Sequence, residues 1–150
     1  MALLQSEGTM TRETQLSADE VQAFIDEVFP QQKGVMEVLS IAPMSATARM
    51  KIGYEHLRPG GTVSGPAMFT VADCAFYMAV LGMIGRQALT VTSNLGINFL
   101  RKPQAETDLI CEARILKLGR LLATGDATVF SAGQDQPVAH ATVTYAIPPG

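Results

Sequence analysis

Cysteine is scarce in this sequence: Cys74 and Cys111 are the only two in 150 residues. Each sits in an apolar run, so both read as reduced core residues rather than as a disulfide framework. No cluster of Cys and His accompanies them, which leaves a zinc site without a basis. Positive charge is not in excess either. Eleven Lys and Arg stand against 14 Asp and Glu, a formal net charge of -3, so the footprint of a nucleic-acid binder is missing. The N-terminal residues are polar and lack the continuous apolar core of a secretory signal. They predict a flexible leader over 1–16 and a cytoplasmic protein. No repeat or linker interrupts the rest of the chain, and 17–150 reads as one domain. At this length it can bury about two-thirds of its unfolded surface.

What the sequence does have is one long apolar stretch. From Pro66 to Ile84 nearly every residue is apolar, small or aromatic, and Asp73 is the only charge. A helix apolar all round is buried on most sides or lies in a membrane. Ser64 or Gly65 suits its N-cap, and Pro66 suits the first turn. Roughly 20 such residues would span a bilayer. Against that, Asp73 at the centre would cost about 2.5–3.5 kcal/mol there, and no clear basic flank marks one end. A helix wrapped by a sheet accounts for the same composition without that penalty, so no membrane is expected. Asp73 then needs a partner, a raised pKa or a task.

The remaining elements emerge from patterning. Ser17 and Glu20 form a capping box, and Val21, Phe24, Ile25 and Val28 fall at helical spacing ahead of Pro30, which predicts an amphipathic helix over about 17–29. Strand signals run from Val35 to Ile52, with Pro43 marking an edge position, a bulge or a break into two strands. Residues 53–61 are turn chemistry. After the central helix come strand runs at about 88–101, 107–118, 121–133 and 137–147, read as a four-stranded meander with short turns between the last three. One very apolar helix among antiparallel strands implies an α+β architecture, a curved sheet around the helix.

The stretch Gly61-Thr62-Val63-Ser64-Gly65-Pro66, with Asp73 nine residues after Ser64, resembles the PaaI-like group of hotdog-fold acyl-CoA thioesterases. So does the strand from Thr90 to Arg101. The resemblance covers about 35–148. That family's usual His-Gly-Gly motif, followed by an acid on the helix, maps here onto Ser64, Gly65, Pro66 and Asp73. An Asn often found six residues before the His maps onto Arg58. The acid and the first glycine are kept; the Asn, the His and the second Gly are replaced.

The resemblance implies a hotdog fold, assembled as a homodimer or homotetramer with the pocket between subunits. Its function would be hydrolysis of an acyl-CoA to a free acid and coenzyme A. Coenzyme A enters as part of the substrate, with no separate cofactor and no metal. Asp73 would be base or nucleophile, and Gly65 would offer its backbone N–H to the oxyanion from the positive end of the helix. Pro66 has no N–H and supplies no second donor. By the same resemblance Ser64 and Arg58 border the substrate, Thr92 or Asn94 reaches across the interface, and Tyr77 lines the acyl pocket. Arg101, Lys102 and Arg120 suit the phosphates of coenzyme A. The plainer readings are a hydrogen-bonded structural carboxylate for Asp73, ordinary sheet residues for Thr92 and Asn94, core packing for Tyr77 and solvated surface for the cations. His56 lies in the loop before Ser64, and His140 reads as structural. The alternative function is a non-catalytic hotdog protein that binds or sequesters acyl-CoA.

Overall fold

The computed structural model describes residues 13–149. Helix α1, Ala18–Val28, starts at the expected capping box: Glu20 N–H donates to Ser17 Oγ at 3.2 Å, and Ser17 N–H donates to Glu20 Oε1 at 2.9 Å. Its buried face carries Val21 and Ile25, and Phe29 closes it ahead of a short 3-10 turn, Pro30–Gln32. Gln15 and Leu16, expected to belong to the leader, both donate their N–H to Gly82 O, and Leu16 is buried. The first twelve residues of that expected leader lie outside the described residues.

Strands β1, Met36–Ala42, and β2, Ser45–Met50, form a hairpin, so Pro43 marks the break into two strands. Next come the central helix α2, Gly65–Ile84, and strands β3, Val91–Phe99, β4, Leu109–Leu118, β5, Leu122–Ser131, and β6, Pro137–Ala146. The sheet is antiparallel throughout, in the order β1-β2-β4-β5-β6-β3. This corrects the four-stranded meander. Only β4, β5 and β6 meander; β3 crosses over to pair with β6 at the far edge. The turns after β4 and β5 are short enough to force neighbours together, whereas 100–108 is long enough to let the chain cross. Alternating patterning reports which face is buried and says nothing of which strand lies alongside.

The all-round apolarity of α2 is explained by its surroundings, since it touches all six strands and α1. From Ala67 to Met83 only Phe69, Thr70 and Asp73 escape full burial. The sheet curves closely over it. Phe76 lies against β5 at Gly125, where any Cβ would come within 2.8 Å of the Phe76 ring and collide with the Arg114 carbonyl. Gly85, at a φ of 88°, ends the helix.

The two sheet edges differ. Along β1 the Gln22 side chain stands in for a strand, donating to Met36 O at 3.1 Å and accepting from Val38 N–H at 2.7 Å. Along β3 no described residue pairs with the outer side of the strand, and its side chains are exposed or at best half-buried. β3 is the open edge.

Candidate active site

Asp73 lies on the turn of α2 that passes beneath the start of β3 and the end of β6. Thr92 Oγ1 donates to Asp73 Oδ1 at 2.5 Å, and Tyr145 O–H donates to the same oxygen at 2.7 Å. The phenol is also 2.9 Å from the Asp73 main-chain carbonyl. Burial, and then the adjacent carboxylate charge, push the Tyr145 phenol well above its usual range, so it remains a donor. Oδ2 has no partner among the described residues. One oxygen therefore accepts from two hydroxyls and the other from none of the described residues.

Asp73 borders a cavity of about 520 Å³ whose lining includes Val28, Phe29, Tyr77, Leu89, Thr90 and Tyr145. Tyr77 stacks on Tyr145 with ring centroids 5.9 Å apart, and its hydroxyl donates to Ala88 O at 3.3 Å. Thr90 is 3% exposed, and its Oγ1 is a buried polar side-chain atom with no partner among the described residues. Next to Asp73, Cys74 faces the core. Burial, then the Asp73 charge, push its thiol up to about 12, which makes it a poor nucleophile.

The start of α2 makes a second concave site. Ser64 Oγ accepts from Ala67 N–H at 3.3 Å, and Ser64 O accepts from Met68 N–H at 3.2 Å. Pro66 has no N–H, and that of Gly65 is unpartnered among the described residues, an orphan donor at the positive helix end. A Cβ on Gly65 would sit 3.2 Å from the Phe99 ring. A cavity of about 570 Å³ gathers Gly65 with Arg58, Phe99, Arg101 and Lys102. Arg101 is already engaged, donating to Pro137 O and Gln136 Oε1 at 2.8 and 3.0 Å.

Residues 60–138 match the model of the thioesterase superfamily. The chain belongs to that superfamily. Human acyl-coenzyme A thioesterase 13 is 30% identical over 95 residues, covering 63% of this chain and 67% of the relative. A crystal structure of a candidate thioesterase from a Silicibacter species aligns at a TM-score of 0.86 and 48% identity, covering 92% of this chain and 96% of that one. A mutant of the phenylacetic acid degradation protein PaaI from Thermus thermophilus aligns at 0.68 and 26% identity, over 79% of this chain and 99% of that one. The fold is a hotdog fold, and its solved relatives include the PaaI-like group.

Within this thioesterase-family chain the expected site residues divide between two cavities and three positions outside them. Asp73, Tyr77 and Thr92 share the first cavity; Arg58, Gly65, Arg101 and Lys102 share the second. Ser64 is spent on capping α2. Asn94 and Arg120 join neither. Asn94 pairs with Thr144, and a bulge at Ser93 separates it from Thr92, placing it on the sheet face that carries His140 and Thr142. Arg120 is exposed in the turn between β4 and β5. His56 Nδ1 accepts from Gly53 N–H at 2.8 Å, which ties the ring to its own turn instead of a pocket. His140 Nε2 lies 3.1 Å from Asp126, beside Arg114 on the outer sheet face. Burial alone would raise the Asp126 pKa, but hydrogen bonds from Arg114 and His140 hold it below the usual range.

Sequence reasoning missed Tyr145, Thr90 and Phe29. Tyr145 lies 72 positions after Asp73 and occupies an inward position of β6, which reads simply as core. A phenol placed where alternation calls for an apolar residue is a faint signal of a polar tip at work.

Proposed function

We propose that the protein hydrolyses the thioester of an acyl-CoA, at a site completed by a second copy of the chain. The observation that carries this reading is the Asp73 carboxylate, one oxygen pinned by Thr92 and Tyr145 and the residue bordering an apolar cavity, in a chain of the thioesterase superfamily. Asp73 attacks the thioester carbon directly, or takes a proton from the water that does so. The acyl group occupies its cavity.

Gly65 precedes Asp73 by eight positions on α2, about 12 Å along the axis. Within one chain both cannot address the same carbonyl. β3 reconciles them. Its beginning holds Asp73 through Thr92, and its last residue, Phe99, lies against Gly65. Pairing β3 antiparallel with β3 of a second copy, about its midpoint, sets the Thr92 end of one against the Phe99 end of the other. Asp73 of one copy then faces Gly65 of the other, whose N–H receives the oxyanion. Arg58 and Lys102 beside that Gly65 face the phosphates of coenzyme A.

The test is kcat/KM of Asp73→Asn with the melting temperature measured alongside. Asn can still accept from Thr92 and Tyr145, so the fold should survive while thiol release falls by about a hundredfold or more. Activity within about threefold of wild type overturns the reading, being under 1 kcal/mol of barrier. Calorimetric binding of acyl-CoA to the wild type with no thiol released would support sequestration instead.

A further inference from the structure

The cavity beside Asp73 has a wall that the family-matched segment, residues 60–138, does not supply. Val28, Phe29 and Gln31, from the end of α1 and the turn after it, line it together with residues of α2 and β3. Exposed apolar groups collect around the same cavity: Val28 is 38% exposed, Leu89 78% and Val91 55%. Apolar surface gathered beside a reactive carboxylate is where an apolar ligand group is expected to lie.

To discriminate by size a wall has to stay in place, and α1 is fastened along its length. At its start Gln15 N–H reaches Gly82 O at 2.7 Å, and Glu20 lies 3.7 Å from Arg86. In its middle Gln22 is bonded to β1 on both sides. At its end the Phe29 side chain packs half-buried against the core.

We infer that the end of α1 is the acyl selector of this site, with the Phe29 ring setting the length of acyl chain the cavity admits. This rests on the acyl-thioester function proposed for the Asp73 site. A misfit of one methylene in an apolar pocket changes kcat/KM by about 10- to 200-fold, so exchanging a ring for a smaller or larger group should redraw the length profile.

The experiment uses the full chain and its Phe29→Leu and Phe29→Trp variants. Hydrolysis is followed over a straight-chain acyl-CoA series, and binding of the matching S-alkyl-CoA thioethers is measured by calorimetry. Phe29→Leu should shift the preference toward longer chains by about tenfold or more, and Phe29→Trp toward shorter ones. Opposite shifts cannot both arise from misfolding. A length profile unchanged in both variants overturns the selector. If the wild type hydrolyses none of the series, the catalytic reading fails and the thioether profile alone judges the selector. Absence of thioether binding as well overturns both.

Discussion

At the residue scale, the site depends on hydroxyls whose use is decided by burial. Asp73 is held by Thr92 and by a Tyr145 phenol that burial and the carboxylate keep protonated. Thr90, two positions before Thr92, is the contrasting case: its buried hydroxyl has no partner among the described residues. An unsatisfied buried hydroxyl typically costs about 1–3 kcal/mol. Val has the same shape without that hydroxyl, so Thr90→Val should stabilise the protein. The expected rise in melting temperature is about 2–4 °C for each 1 kcal/mol recovered. Calorimetry on the two proteins decides; a lower melting temperature in the variant would show that the hydroxyl has a partner in solution.

At the element scale, the start of α2 carries the proposed chemistry in one backbone group. Ser64 caps the helix and Pro66 cannot donate, which leaves the Gly65 N–H as the free donor. Gly65→Ala and Gly65→Pro both place a carbon about 3.2 Å from the Phe99 ring, as an ideal Cβ there would be, but only Pro removes the N–H. Ser64 already has the extended ψ of 157° that a following proline favours, and proline suits a first helical turn. Residue 65 is itself helical and precedes Pro66, which disfavours any residue with a Cβ there, so both variants share that cost and their melting temperatures are read beside the rates. Gly65→Pro should turn over about a hundred- to a thousandfold more slowly than Gly65→Ala, the usual effect of losing one oxyanion donor. Equal rates in two folded variants would place the oxyanion elsewhere.

At the scale of the whole molecule, the asymmetry between sheet edges is what bears on assembly. Gln22 blunts β1, while the outer side of the nine-residue β3 has no partner among the described residues. Light scattering at micromolar concentration should report at least twice the 16.0 kDa chain mass. Val91→Lys, which adds charge to the open edge, should shift the protein toward monomer. A wild-type monomer with full activity would rule out a shared site.

The sequence by itself determined a good deal. The capping box at Ser17, the all-round apolar α2 and the lone charge of Asp73 are local patterns, and each reappears in the structure where periodicity puts it. The strand runs were legible too, because alternation along β4, β5 and β6 records one buried face. Only the tertiary structure decided that β3 crosses to pair with β6. Through that pairing it sent Thr92 toward Asp73 and Asn94 to the opposite face, separated by the bulge at Ser93. It alone brought Tyr145 to the carboxylate and Phe29 to the cavity. The reason is physical. Periodicity reports whether a side chain points inward, but the partner it meets there depends on strand pairing between residues far apart in the chain.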